Sequence, residues 1–235
     1  MARHTRFLSE EKIYHVVLKG INADNIFTNE KDCSSFLQYF KDCCKEYDVK
    51  IYAYCIMSNH VHLLLKFSGE DTAGMFKSFG AKYVPKYNYV HSRVGPLFNG
   101  RYYSSPVNHD EYLLSVVRYI HLNPVNAGIC KHPGDYRWSS YNEYKTNKDG
   151  ISDRKFVQSI LTDTEFDELH IVDNKALDEF FIQNARVFGS RETDLAEYVE
   201  RNSDKDFDEL VRVLKLSGAS KRQIARALNV DIRKI

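Results

Sequence analysis

Apolar and polar residues follow two different periods in the first half of the chain, which predicts both strands and helices there. The segment "KIYHVVLKG" (12–20) is rich in β-branched and aromatic residues and ends at a glycine, as strands often do. In "NEKDCSSFLQYFKDCCKEYD" (29–48), apolar positions recur three and four residues apart, the spacing of an amphipathic helix. The same patterns predict these elements along the chain: strands at 12–20, 49–57, 60–67 and 100–107, and helices at 29–48, 70–91 and 109–124.

The predicted order, β-α-β-β-α-β-α, indicates an α+β fold. Its first six elements correspond to the ferredoxin-like, split βαβ arrangement, an antiparallel sheet with helices on one face. A short Ser-Asn turn separates the second strand from the third, so we expect these two strands to form an antiparallel hairpin. Pro124 disfavours helical geometry at Asn123, and the last helix is therefore expected to end or kink there.

The last thirty residues predict a small all-α module. "SKRQIARAL", a turn at "NV" and "DIRKI" have the spacing of a helix-turn-helix, and Asn229 tolerates the left-handed backbone that such a turn needs. Residues 146–205 hold 8 Lys/Arg against 14 Asp/Glu, which indicates an acidic, mostly helical connector. We therefore expect an α+β domain at 1–142, the connector at 143–205 and a helix-turn-helix-like module at 206–235.

Composition excludes several classes of protein. The chain is 43% hydrophobic and 28% charged, which suits a soluble globular fold. No apolar run reaches the roughly 18 residues of a membrane span, and the first residues lack the apolar segment of a secretory signal. The five cysteines form no CxxC pair, which favours reduced thiols and argues against a Cys-rich zinc site. We therefore expect a cytoplasmic protein without a membrane partner.

Two basic segments lie on either side of the acidic connector. Residues 72–109 contain five Lys/Arg and no Asp or Glu, and residues 216–235 contain five against one Asp. In the first segment tyrosines alternate with the cations, a combination that suits single-stranded DNA because cations bind the backbone and aromatic rings stack on bases. Ordinary solvated charge stays open as an alternative for each residue alone. The predicted DNA contacts are Lys82, Lys86, Arg93, Arg101, Arg222, Gln223 and Arg226.

The stretch "MSNHVHLLLKF" (57–67) carries the candidate chemistry. Side chains alternate along a strand, so His60 and His62 point to the same face and stand close enough to bind one cation together. In the helix at 109–124, Tyr119 and Asn123 are four residues apart and share one face, about 6 Å apart along the axis. A tyrosine beside a metal-polarised phosphodiester is a nucleophile. The residues alone leave ordinary structural roles open for the histidines and the tyrosine.

Several segments resemble a known family. In chain order they are "YHVVLKGIN", "AYCIMSNHVHLLL", "GRYYSSPV", "YLLSVVRYIHLNPVNAGI" and "DYRWSSY". This ordered set resembles the REP-associated tyrosine transposases, which belong to the single-tyrosine, His-hydrophobic-His (HUH) transposases, and it covers residues 12 to about 142. The resemblance implies that Tyr119 is the nucleophile and that His60, His62 and Asn123 bind Mg²⁺ or Mn²⁺. Lys19 stands where the family often has an arginine, which implies a DNA contact there.

The implied activity is that of a metal-dependent single-stranded DNA endonuclease and strand transferase with a covalent 5′-phosphotyrosine intermediate. The implied partners are hairpin-containing single-stranded DNA, duplex DNA at the C-terminal module and a second copy in a homodimer, with a nucleoid-associated location. Two alternatives stay open: a DNA-binding regulator that keeps the transposase fold without turnover, and a metal-dependent hydrolase that activates water. The four candidate residue types are all present, which argues against the regulator. The apolar continuation "HVHLLL" lacks the extra ligands expected of such a hydrolase.

Overall fold

The computed structural model describes residues 9, 11–69, 71–107, 110–146, 149–170, 199, 206–207, 211 and 221–234, without the side chains of 110–112, 221–223 and 232. The strands are β1 (Ile13–Lys19), β2 (Val49–Ile56), β3 (His60–Phe67) and β4 (Tyr103–Val107). The helices are α1 (Glu30–Glu46), α2 (Thr72–Val90), α3 (Asp110–Asn126), α4 (Tyr141–Thr146), α5 (Lys155–Ile160), α6 (Asp163–Leu169) and α7 (Lys221–Ala227). Within these described residues, 3₁₀ helices also lie at Ile21–Ala23, Pro133–Asp135 and Ile232–Lys234.

The four strands form one antiparallel sheet in the order β2-β3-β1-β4. The strand β3 lies between β1 and β2, and α1 connects those two strands, which is the split βαβ arrangement. The predicted antiparallel sheet and its hairpin are therefore confirmed. In the register of the sheet, Val17 lies opposite His62 and Lys19 lies opposite His60. This register places the end of β1 beside the paired histidines.

Helices cover both faces of the sheet. The helices α1 and α2 pack on the face that carries Val16 and Leu63, and α3 packs on the opposite face with Ile13 and Leu64. The two helices of the predicted split βαβ unit, α1 and α2, therefore lie on one face as predicted, and the additional helix α3 covers the other face. The reason lies in the strands, which carry apolar side chains on both faces and need cover on both to remove that surface from water. We call the two sides the α1–α2 face and the α3 face.

The segment just before α4 covers the edge of the sheet at β2. The backbone N–H of Ile56 donates to the carbonyl of Trp138, and the N–H of Ser140 donates to that of Tyr54. The Ser140 hydroxyl oxygen also accepts from the N–H of Tyr54 at 2.9 Å. Because an open strand edge would leave such groups unpaired, "DYRWSSY" completes the sheet on this side.

Helix α3 does not end at Pro124. The helix continues to Asn126, and the N–H of Ala127 bonds to the carbonyl of Asn123. Of the two expected outcomes at Asn123, an end or a kink of the helix, the first is therefore wrong. Pro124 lacks the N–H that would bond to the carbonyl of Ile120, so the last turn of the helix continues with one backbone hydrogen bond fewer. Both Tyr119 and Asn123 consequently stay on one helical face.

The C-terminal residues contain part of the predicted module. Helix α7 is followed by Asn229 with φ 53°, the left-handed conformation expected of the turn. Ile224 and Ala225 are buried, and the 3₁₀ helix follows. The helix-turn-helix stays a prediction, as does the division into three domains, whose first boundary at 142 falls inside α4. Among the described helices, none combines the length and the apolar character needed to cross a membrane.

Candidate active site

A cavity of about 370 Å³ opens on the α3 face, between β1, β3 and β4 on the sheet side and α3 above them. Its lining includes six of the predicted site residues: Lys19, His60, His62, Arg101, Tyr119 and Asn123. The sheet supplies the histidines and Lys19, the segment before β4 supplies Arg101, and α3 supplies the tyrosine and the amide. Residues more than one hundred positions apart in the chain thus meet in one cavity.

The two histidines converge at the start of β3. The Nε2 atoms of His60 and His62 lie 3.1 Å apart. The other nitrogen of each ring meets a different neighbour. Nδ1 of His60 lies 2.6 Å from Oδ1 of Asn59, and Nδ1 of His62 lies 3.0 Å from Nε2 of His15. A contact at Nδ1 therefore holds each imidazole, and the two Nε2 atoms point toward each other.

The turn before β3 is anchored to the end of β1. The N–H of Gly20 donates to the carbonyl of Asn59, and the N–H groups of Ile26 and Phe27 both donate to the carbonyl of Ser58. A Cβ atom on Gly20 would lie 2.4 Å from the carbonyl oxygen of Asp24, so only glycine permits this close approach. The anchored turn fixes Asn59, which in turn fixes His60.

Burial makes both histidines neutral. Loss of hydration, helped by the nearby Lys19 ammonium, lowers the pKa of His60 to about 4. Burial is also the largest cause that holds the pKa of His62 well below its usual value, with smaller contributions from His15, His60 and Lys19. Neutral imidazole is the form that binds metals. Both rings can therefore serve as ligands at neutral pH.

Tyr119 lies directly beside this pair. Its ring meets that of His62 edge to face, with 5.3 Å between the ring centres. Burial raises the pKa of the Tyr119 phenol, and a hydrogen bond with the Asn123 side chain partly opposes that rise. The Asn123 amide nitrogen donates to the carbonyl of Tyr119 at 2.8 Å, which leaves the amide oxygen as its ligand atom. A phenolate at Tyr119 thus needs additional positive charge close by.

The donor atoms fit a divalent cation. Ligands at about 2.1 Å from an octahedral ion stand about 3.0 Å from their neighbours, close to the 3.1 Å between the two Nε2 atoms. Asn123 lines the same cavity, and its amide oxygen would add an oxygen donor of the kind that Mg²⁺ and Mn²⁺ prefer. Within the described residues, no group of three or more His, Cys, Asp or Glu side chains could hold a metal. A metal at this site would accordingly rely on two imidazoles, one amide and water.

The other predicted DNA contacts lie elsewhere. Lys82 and Lys86 belong to α2, which packs on the opposite face of the sheet from the cavity. Lys82 forms an ion pair with Glu46. Arg93 follows α2, with its guanidinium 5.9 Å from the ring centre of Tyr87. All three remain predicted contacts, which the structure does not bring to the histidine pair.

The C-terminal contacts are also separate predictions. Arg226 is exposed on α7. The side chains of Arg222 and Gln223 lie outside the described residues. Binding of duplex DNA by this module therefore stays a prediction.

Two residues that hold the histidines, His15 and Asn59, are not among those predicted from the sequence. His15 lies two positions before Val17 on β1 and therefore shares the cavity face with it. The alternation along "KIYHVVLKG" placed His15 and Lys19 on one face of the strand, which was an available signal. Only the pairing of β1 with β3 shows that this face adjoins His62.

Comparison with known proteins places this arrangement in context. The model of the IS200-like transposase family matches residues 9–123. A curated protein of Haemophilus influenzae described as a REP-associated tyrosine transposase is 24% identical over 120 residues, which cover 46% of this chain and 68% of that protein. The structure of a REP-associated tyrosine transposase bound to a REP hairpin superposes with a TM-score of 0.53 and 13% identity, over 65% of this chain and 90% of that one. This structural likeness shows a shared fold, and the matches agree with the resemblance noted in the sequence.

Proposed function

Because residues 9–123 match the model of the IS200-like transposase family, we propose that the protein is a metal-dependent single-stranded DNA endonuclease and strand transferase with Tyr119 as its nucleophile. The observation that carries this proposal is the convergence of the two histidine Nε2 atoms, 3.1 Å apart, beside the Tyr119 ring. A buried tyrosine next to two neutral imidazoles suits attack on a phosphodiester better than a purely structural role.

The reaction exchanges one phosphoester for another. The Tyr119 phenol loses its proton, and its oxygen forms a bond to phosphorus as the bond from phosphorus to the 3′ oxygen breaks. The 3′ oxygen takes up a proton and leaves as a free hydroxyl, while the 5′ phosphate stays on the tyrosine. Since one ester replaces another, the reverse attack by a 3′ hydroxyl rejoins strands without an external energy source.

The residues of the cavity have separate proposed roles in binding phosphate and in holding the cation. Lys19 and Arg101 line the cavity beside the histidines, where their charges would bind the phosphates that flank the cleaved bond. His60, His62 and Asn123 would hold the divalent cation. When bound, Mg²⁺ or Mn²⁺ would polarise the phosphoryl oxygen and favour the phenolate form. Burial raises the pKa of the Tyr119 phenol further above its usual value, so the phenol stays protonated at neutral pH unless positive charge is brought beside it.

The preferred substrate is single-stranded DNA next to a hairpin. The solved relative with the same fold is bound to a REP hairpin, which supports this choice for the present chain. Duplex contacts through α7 and assembly into a homodimer are further parts of the proposal.

Gel electrophoresis under denaturing conditions tests the covalent step. The full-length protein is incubated with hairpin DNA labelled at its 3′ end, the side that stays on the tyrosine, in Mn²⁺ or in EDTA. We expect label to travel with the protein in Mn²⁺ only, and to be absent in Tyr119→Phe, which retains the ring and loses the nucleophilic oxygen. Tyr47→Phe, a half-buried tyrosine at the end of α1, is the matched control and should form the adduct.

Two results would contradict the proposal. An adduct formed by Tyr119→Phe would rule out this tyrosine as the nucleophile. Binding of many hairpins by the wild-type protein without cleavage would favour the regulator instead.

A further inference from the structure

The imidazole of His15 is buried directly behind His62 and takes no part in the proposed chemical step. Its side chain is 6% exposed, and its Nε2 lies 3.0 Å from Nδ1 of His62. The two rings are stacked, with 5.3 Å between their centres and 18° between their planes. His15 therefore contacts Nδ1 of His62, the ring nitrogen that does not meet His60.

The hydrogen bonds of the neighbouring residues define where the ring hydrogens lie. The Asn59 amide nitrogen is 3.4 Å from the carbonyl of Ala23, which directs the amide oxygen to His60. An amide oxygen only accepts, so His60 carries its hydrogen on Nδ1 and has a lone pair on Nε2. Two bare lone pairs 3.1 Å apart would repel. Without a cation, the hydrogen of His62 therefore lies on Nε2, shared with His60.

Cation binding reverses this arrangement. Both Nε2 lone pairs are then needed as ligands, so the hydrogen of His62 must lie on Nδ1. This Nδ1–H faces Nε2 of His15, which must change from donor to acceptor. An imidazole does this by carrying its own hydrogen on Nδ1, with no net gain or loss of protons. A residue with a fixed donor, or with no polar atom, lacks this ability.

We propose that His15 is a positioning residue that holds the ring of His62 and accepts its Nδ1 hydrogen when the divalent cation binds. The inference rests on the metal-dependent function proposed above. It assigns a role on β1, outside the ligands themselves. Such partners of metal ligands affect affinity strongly, and their loss typically weakens metal binding about 10- to 100-fold.

Titration calorimetry of the full-length protein with Mn²⁺ provides the first test. His15→Phe keeps a stacking ring without a polar atom, and we expect its Mn²⁺ affinity to fall about 10- to 100-fold. His15→Gln should recover most of the affinity, because an amide can present either an N–H or an oxygen. His170→Phe is the matched control. It also removes a buried histidine bonded to another histidine, at 2.9 Å, but lies at the end of α6, and its Mn²⁺ affinity should equal that of the wild type.

Nitrogen-15 NMR of the wild-type histidine rings is the second test and needs no variant. The His62 hydrogen should lie on Nε2 in the metal-free protein and on Nδ1 after saturation with Mg²⁺. A hydrogen that stays on one nitrogen throughout, or equal Mn²⁺ affinities for wild type and a folded His15→Phe, would overturn this inference alone. A wild-type protein that binds neither ion would overturn the metal-dependent function and this inference with it.

Discussion

Replacement of Gly20 by alanine tests how the end of β1 supports the candidate site. A Cβ atom at this position would lie 2.4 Å from the carbonyl oxygen of Asp24 and 2.9 Å from Cγ2 of Ile26. The backbone angles of Gly20, φ −58° and ψ 146°, are ordinary for alanine. The cost of the substitution is therefore steric and does not arise from the backbone conformation.

The expected magnitude follows from what the new atom meets. Overpacking of a well-packed region costs about 1–3 kcal/mol, and the upper part of that range applies because a backbone carbonyl cannot rotate aside as a flexible side chain does. Gly20 also donates to the carbonyl of Asn59, so a shift here reaches the residue that holds His60. We expect Gly20→Ala to lose about 2–3 kcal/mol of unfolding free energy and to bind Mn²⁺ more weakly.

Urea unfolding measures this loss, with Gly80→Ala as the control. Gly80 lies inside α2, and a Cβ atom there would meet nothing within 4 Å. Its replacement should stabilise the protein by about 0.5–1 kcal/mol, the helix preference of alanine over glycine. For an m value of about 3 kcal/mol/M, the Gly20→Ala midpoint should fall by about 0.7–1 M. An unchanged midpoint for Gly20→Ala would refute the argument from crowding.

Two further predictions concern pH and salt. Burial lowers the pKa of His170 to about 4 and holds the pKa of its partner His121 well below the usual value. Between about pH 6.5 and pH 4, the unfolded chain therefore binds more protons than the folded protein. Stability should therefore fall as the pH falls through this window, by about 2 kcal/mol for His170 alone at pH 5; urea midpoints that are equal at pH 7 and pH 5 would contradict this. The double variant Lys19→Ala, Arg101→Ala should bind single-stranded DNA more weakly and reduce the slope of log K against log salt by about 1.4. Lys41 is an exposed cation on α1, and Lys41→Ala should leave that slope unchanged. If the double variant and Lys41→Ala changed the slope equally, Lys19 and Arg101 would not be specific contacts of the bound DNA.

Local periodicity in the sequence determined the elements and the candidate ligands. The strands and helices of the first 126 residues follow from periods of two and of three to four, because side-chain direction is set by backbone geometry alone. The same geometry places His60 with His62 on one face of β3, and Tyr119 with Asn123 on one face of α3. Both pairs line the cavity as the spacing predicts.

Tertiary structure decided which of these faces meet. A strand with apolar residues on both sides does not specify where its helices pack, and α3 took the face opposite α1 and α2. The roles of His15 and Asn59 likewise depend on the pairing of β1 with β3 and on the anchored turn. These contacts join positions 47 residues apart for His15 and His62, and local sequence carries no information about such pairing. Only the assembled sheet, in which β1 pairs with β3, brings the cation ligands and the residues that hold them together.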